Sequence, residues 1–406
     1  MSYPIETIRS QFPILQQSVY GKPLVYLDNG ATAQKPQQVI DTVSRIYQTQ
    51  NANIHRGVHH LSNVCTDLYE NARRTVAQHI GAAQAEEVVF VRNTTEAINL
   101  VAYAYGNKFI GAGDEVVVSV MEHHSNIVPW QLLCGRTGAT LRVVDMDDEG
   151  NLRMDQMESL IGPKTKMVCC TQVSNVLGTV NDVRHIASLA HAVGAVMLVD
   201  AAQSLPHMPI DVQDLGCDFM VFSGHKVYAP LGSGALYGRI DLLRQMDPWM
   251  GGGEMIDKVT FRGTTFAEPP LRFEAGTPDY VAAAGLAAAL EYVDGIGMEA
   301  IEAHENALVT KTIEGLKAIG GVRIVGEARK HSGAVSFLVG NIHPYDAGMI
   351  LDKMGIAVRT GHHCAQPLME RLGISGTVRA SFGVYTSEAD IDKLLNGVEF
   401  VKKMFA

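Results

Sequence analysis

Short apolar runs that stop abruptly at polar residues recur along this chain, at 88–92, 115–119, 140–144, 166–171, 195–200 and 219–222. Runs of this length, apolar on both alternating faces, are those of strands buried on both sides. Most are separated by stretches of helical spacing that end at glycines (Gly106, Gly135, Gly194). Strands alternating with helices predict an α/β fold with a mainly parallel, helix-covered sheet, whose functional groups sit at the strands' carboxyl ends. Ahead of this series the pattern predicts an amphipathic helix within residues 1–25 (Ile5, Ile8, Phe12) and a strand at 24–27 leading into Asp28-Asn29-Gly30. A helix from Pro36 to Tyr47, a polar loop at 53–60 and a helix over 63–80, closed by Gly81, follow.

The alternation breaks at 250–280, where Gly251-Gly-Gly253, Gly263, Pro269, Pro270 and Gly276-Thr277-Pro278 mark an outward-reaching hairpin. From about Ala283 a helix leads into a smaller α+β unit. It comprises a helix at 298–318, a strand at 334–339, a helix at 345–354, strands at 356–359 and 377–382, and a closing helix at 387–404. The expected division is a large domain over 26–282, with residues 1–25 and 283–406 forming the small domain.

Composition narrows the setting. A chain of 406 residues suits about two domains. A net charge of −10 argues against a polyanion-binding surface, so no nucleic-acid partner is expected. No apolar run approaches the ~20 residues that span a bilayer, and the N-terminus has no signal-like apolar core. Six cysteines without C-x-x-C spacing suit reduced thiols in a cytoplasm, and Cys169 and Cys170 read as core packing.

Chemistry concentrates where strands end. Val196-Met-Leu-Val-Asp200-Ala-Ala-Gln203 ends in an acid and an amide, and Val221-Phe-Ser-Gly-His-Lys226 in a hydroxyl, an imidazole and an amine. That set suits pyridoxal phosphate. Lys226 would form the Schiff base, Asp200 would keep the pyridine nitrogen protonated, and Gln203 would bond the ring hydroxyl. Asn93-Thr94-Thr95-Glu96 reads either as a plain capping box or as a helix N-terminus offering its N–H groups and threonine hydroxyls to a phosphate. Ser223 and His225 would complete that cup. His123, after the 115–119 strand, could stack on the ring or lie on the surface, and Asn175 could bind a substrate carboxylate. There is neither a Walker A sequence nor a G-x-G-x-x-G behind a strand.

Within the smaller unit, Val358-Arg359-Thr-Gly361-His362-His363-Cys364 offers a zinc site, an idle loop thiol or a reactive cysteine. No second ligand cluster is spaced to complete a zinc site, so no metal is expected. A neighbouring Arg359 or a protonated histidine would favour the Cys364 thiolate. Arg379 is a candidate for bidentate recognition of a carboxylate.

Together, Asp200-Ala-Ala-Gln203, Ser223-Gly-His-Lys226, Arg359-Thr-Gly-His-His-Cys-Ala365 and Arg56-Gly-Val-His59 resemble the SufS-type (group II) cysteine desulfurases. That branch is similar in turn to the selenocysteine lyases, and both use the type I (aspartate-aminotransferase-like) pyridoxal-phosphate fold. The lysine motif marks only the superfamily, whereas Gly361-His-His-Cys364 is particular to this branch. The other desulfurase branch carries a longer, Ser-rich catalytic loop that this chain lacks.

The resemblance implies that Lys226 is the Schiff-base lysine and Cα base, and that Asp200, Gln203 and a stacked His123 hold the ring. Thr95, Ser223 and His225 would grip the phosphate, with Thr277 reaching it across a homodimer interface. Asn175, Arg379, Arg359 and His55 would bind substrate, L-cysteine, and Cys364 would take its sulfur as a persulfide, leaving alanine. It further implies a SufE- or SufU-like sulfur acceptor feeding iron–sulfur cluster assembly, with His343 resembling a loop of members that pair with the zinc-containing carrier. Activity on selenocysteine is the neighbouring possibility.

Overall fold

The computed structural model describes residues 3–405. Seven strands form the central sheet: β1 (Val88–Val91), β2 (Glu115–Ser119), β3 (Thr140–Val144), β4 (Thr165–Thr171), β5 (Val196–Asp200), β6 (Phe219–Ser223) and β7 (Gly234–Gly238). Their spatial order is β1-β7-β6-β5-β4-β2-β3, and every pairing is parallel except those of β7, which runs antiparallel to both neighbours. The six expected strands are present. The seventh, β7, adds an antiparallel strand between β1 and β6.

Both faces of the sheet are packed, and alternate side chains go to different cores. Val117, Val168, Cys170, Met197, Val199 and Phe222 join one cluster. Val116, Met167, Cys169, Leu198, Phe219 and Val221 join the other. Cys169 and Cys170 therefore pack on opposite faces, as small apolar groups.

Boundaries shift where side-chain pattern and backbone geometry part. The first helix ends at Ser10, and Phe12 is buried just beyond it. The helix expected to stop at Gly135 runs through Val128–Thr137 and ends on Gly138, whose φ of 77° satisfies a left-handed cap. At Gly106 the chain does not stop; a π turn over Ala102–Gly106 carries it into Asn107–Phe109. The 250–280 excursion does contain a hairpin, Ile256–Thr260 with Gly263–Phe266.

The helix Tyr280–Ile296 is apolar nearly all round, and it is buried against helices Gln37–Thr49 and His60–His79. No single helix among the described residues is long and apolar enough to cross a membrane.

A second, antiparallel sheet has the order β8 (Val322–Val325), β9 (Ala334–Val339), β11 (Thr377–Ser381), β10 (Arg359–Gly361). Val335, Phe337, Val378 and Ala380 face a core built with helices Met298–Ile319, Pro344–Lys353 and Glu388–Met404. The alternate residues turn to the large sheet's carboxyl edge: Ser336 Oγ donates to the Val176 carbonyl, and Arg379 Nη1 to the Asn175 carbonyl. The single strand expected at 356–359 is split. Ile356–Ala357 pairs in parallel with Val25–Tyr26, and Arg359–Gly361 then turns to pair with β11.

One buried ion pair ties the early helix to the excursion. Glu274 takes a two-pronged bond from Arg73, at 2.6 and 2.9 Å, and also accepts from Tyr69 Oη and the Phe90 N–H. Removing Glu274 leaves the buried Arg73 with only the half-buried Glu70 as a carboxylate partner, so Glu274→Ala is expected to lower the unfolding free energy by about 3 kcal/mol. Urea unfolding of the variant checks this; a loss below about 1 kcal/mol would mean that water reaches Arg73.

Candidate active site

The carboxyl ends of β1, β2, β4, β5 and β6 open on one cavity of about 300 Å³, roofed by the second sheet's polar face. Eleven of the thirteen residues singled out from the sequence line it: Thr95, His123, Asn175, Asp200, Gln203, Ser223, His225, Lys226, Arg359, Cys364 and Arg379. The other two lie elsewhere on the same chain. Thr277 lines a larger cavity of about 460 Å³, which contains no lysine, histidine or cysteine. His55 lies near Glu254 and Glu70, with its N–H donating to Thr66.

Lys226 ends a short turn, Gly224–Lys226, that follows β6 directly. The turn needs glycine first, since a Cβ on Gly224 would sit 2.2 Å from Ser233 Oγ. Burial pulls the Lys226 ammonium down to about 8, against the opposing attraction of Asp200. Asp200 is itself buried, and that burial raises its carboxyl; the Ala202 N–H donates to one of its oxygens at 2.9 Å. Gln203 donates one amide N–H to the Gly30 carbonyl at 2.8 Å, which leaves the second for a ligand oxygen.

His123 is held edgewise by Ser125, whose N–H donates to Nδ1 at 3.1 Å. A backbone donor at Nδ1 places the ring proton on Nε2. Burial, then the nearby Lys226 charge, pulls His123 down to about 3, so the ring is neutral at physiological pH. Beneath it Glu122 accepts from the Ser119 hydroxyl, from Asn126 Nδ2 at 2.7 Å and from the Thr171 N–H at 3.0 Å. Burial nonetheless pushes Glu122 up to about 7.

At the start of helix Thr94–Val101, Asn93 Oδ1 caps the Glu96 N–H at 2.9 Å, while Glu96 reaches back to the Arg92 N–H. Ser223 Oγ takes the Thr94 N–H and meets Thr94 Oγ1, both at 2.8 Å. The Thr95 N–H is left without a protein acceptor among the described residues. The segment is thus both a cap and an open donor cluster. Beside it, burial and then the Lys226 charge pull His225 down to about 4, and its Nδ1 is buried without a partner.

Arg379 is fully buried, and burial pulls it down to about 10. Its Nη2 meets Asp28 at 3.3 Å, its Nε has no partner, and Arg359 stands directly opposite on the adjacent strand. Gly30 keeps the guanidinium face open, since a Cβ there would lie 3.1 Å from Arg379 Cζ.

Cys364 is exposed, on a turn where it and His363 both adopt left-handed backbone (φ 57° and 53°). Neither is glycine, so each costs about 1–2 kcal/mol relative to ordinary backbone. Two carbonyl contacts hold the turn: Asn175 Nδ2 donates to His363 O at 2.7 Å, and the His124 N–H to Cys364 O at 2.8 Å. The protonated neighbour expected for Cys364 is not His363. Its ring is turned to Thr377 Oγ1 at 2.8 Å, and burial, then the two arginines, pulls it down to about 3. The cations near the thiol are Arg359, Arg379 and Lys226.

Asp28, Gly30, Glu122 and Ser125 were not singled out from the sequence, whereas His363 was read as a zinc ligand or a cation beside Cys364 and instead turns its ring to Thr377. Asp28 and Gly30 had a signal, a strand running into Asp-Asn-Gly. Glu122 acts through the distant Thr171 N–H and Ser125 through a contact with His123 two residues back, and neither leaves a mark in the apolar pattern.

These residues fit pyridoxal phosphate. A half-buried amine and a buried acid stand at adjacent strand ends, and a donor cluster with an unsatisfied N–H lies beside them. The arrangement is that of a type I pyridoxal-phosphate enzyme. The chain belongs to the aminotransferase class-V family, whose model matches residues 25–394.

It is 49% identical over 405 residues to "Cysteine desulfurase" of Pectobacterium carotovorum, covering 100% of this chain and 99% of that one. It is 52% identical over 396 residues to "Probable cysteine desulfurase 1" of Mycobacterium leprae, covering 98% of this chain but 65% of that longer protein. The solved apo structure of a cysteine desulfurase from Thermococcus onnurineus superposes with a TM-score of 0.94 at 42% identity, covering 100% and 99% of the two chains.

Proposed function

We propose that this protein is a cysteine desulfurase of the SufS-type branch, converting L-cysteine to L-alanine and retaining the sulfur as a persulfide on Cys364. The observation that carries the reading is an exposed cysteine opening on the same cavity as Lys226, Asp200 and Arg379. The names of relatives about 50% identical over nearly the whole chain support it.

Bound in this cavity, pyridoxal phosphate supplies an electron sink conjugated to the substrate's Cα and Cβ. Asp200 would keep the proton at the ring nitrogen, Gln203 would donate to the ring oxygen, and the neutral His123 imidazole would lie beside the ring. Thr95, Ser223 and His225 would hold the phosphate. Arg379, with Arg359 and Asn175, orients the substrate carboxylate. Lys226 Nζ takes the proton from Cα and can return it nearby. Cys364 thiolate then attacks the substrate sulfur. An S–S bond forms as the Cβ–S bond breaks, and its electron pair passes to Cβ, which is protonated to the methyl of alanine.

A homodimer completes the site in this reading. Thr277 and His55 lie outside the cavity of their own chain, and Thr277 would serve the partner's phosphate. The persulfide passes to a SufE- or SufU-like carrier for iron–sulfur cluster assembly, in a cytoplasm that keeps all six cysteines reduced. His343 is exposed beside the Gly361–His362 stretch and accepts the Tyr345 N–H through Nδ1, leaving Nε2 for such a partner. The second sheet and its helices would form the smaller domain that carries Cys364.

A single turnover with L-cysteine, without reductant, tests the reading. One alanine per site and one added sulfur on Cys364 by intact mass are expected. Alanine without the adduct would point to a lyase acting on cysteine or selenocysteine, and no alanine would sink the proposal.

A further inference from the structure

Residues 122–126 connect β2 to the cavity, and each of the first three holds something different. Glu122 anchors the segment in the core, and His123 presents its ring to the cavity. His124 does neither. Its N–H donates to the Cys364 carbonyl at 2.8 Å, and its Nε2 accepts the Gln366 N–H at 3.0 Å.

Gln366 begins the helix Gln366–Leu372, whose own N-cap, Ala365, has no side chain able to cap it. His124 therefore supplies from another element the cap that the helix lacks. It brackets the left-handed pair His363-Cys364 from the downstream side, while Asn175 holds the upstream carbonyl. Because the donor is a backbone N–H, Nε2 is the acceptor nitrogen of the ring and the ring proton sits on Nδ1.

We infer that His124 is a positioning residue for Cys364: its side chain fixes the strained turn at its helix end and keeps the thiol at the mouth of the cavity. The main-chain bond to Cys364 is retained in His124→Ala and His124→Gln, so these variants isolate the side-chain acceptor. Glutamine can place an amide oxygen near the same point; alanine cannot. The inference rests on the desulfurase reading for its kinetic half only.

The test compares the holoenzyme with His124→Ala and His124→Gln. Hydrogen exchange across residues 362–372, measured without substrate, reads the cap directly. Exchange about tenfold faster is expected in His124→Ala and near wild-type in His124→Gln. Persulfide formation on Cys364 should slow about tenfold in His124→Ala, with KM within about twofold, an unchanged cofactor spectrum and recovery in His124→Gln.

Wild-type exchange in His124→Ala overturns the inference, as does failure of glutamine to restore protection. A loss of kcat accompanied by loss of cofactor would also overturn it, placing His124's effect in the pocket. If the wild-type enzyme makes no alanine, the desulfurase reading fails, and the exchange data still decide whether His124 holds the turn.

Discussion

Cys364→Ala loses turnover of L-cysteine by at least about a thousandfold, while its cofactor spectrum still responds to the substrate. The two halves of that expectation have separate causes. Lys226, Asp200, His123 and Arg379 belong to the large sheet's edge or to β11, and none donates to or accepts from the cysteine side chain. Binding and Cα proton transfer therefore survive the change. What is lost is the only sulfur nucleophile at the cavity, since Cys65, Cys169, Cys170 and Cys217 are buried and Cys134 lies outside its lining. Steady-state alanine release measures the first half and absorbance on adding L-cysteine the second. Undiminished alanine release would mean that sulfur leaves without a protein nucleophile.

Lys226→Ala is expected to lose at least about 10²–10⁴-fold in turnover even when pyridoxal phosphate is supplied in excess, because in the proposed reading the Cα base goes with the attachment point. The wild-type amine also sets how the apoprotein takes up its cofactor. Only the uncharged amine adds to an aldehyde, and burial lowers Lys226 to about 8. Roughly a tenth of the side chains are then uncharged at pH 7, far more than for an ordinary lysine. The uncharged fraction grows as pH rises through that value, so covalent loading should accelerate with pH and level off above about 8. Absorbance-monitored reconstitution from pH 6 to 9.5 measures this; a flat profile would show that another step limits loading.

Much of the site was legible because parallel strands deliver their last residues to one edge. Asp200 and Gln203 after β5, and Ser223, His225 and Lys226 after β6, could be read as one set before any coordinates. The antiparallel β7 was not. Gly234-Ala-Leu-Tyr-Gly238 has glycine at both ends and no β-branched residue, and its pairing with β1 is a contact across more than a hundred residues of sequence. The split after Ala357 was hidden for a related reason: one continuous stretch serves two sheets. The left-handed backbone at His363 and Cys364 left no mark either, because contacts from Asn175 and His124, and not a glycine, maintain it.

The pairing of Arg359 with Arg379 across adjacent strands places two like charges side by side, Arg379 buried and Arg359 open to solvent at the rim. Asp28 lies between them, 3.6 Å from one and 3.3 Å from the other. Its burial makes it a reluctant anion, since desolvation raises its carboxyl more than the two guanidiniums lower it. Asp28 thus acts as a counter-ion shared by two guanidiniums, and a single carboxylate cannot neutralise both. Under the proposed reading, the α-carboxylate of the substrate balances the remaining positive charge. Preference for α-amino acids over simple thiols or amines would then be built into the arginine pair itself.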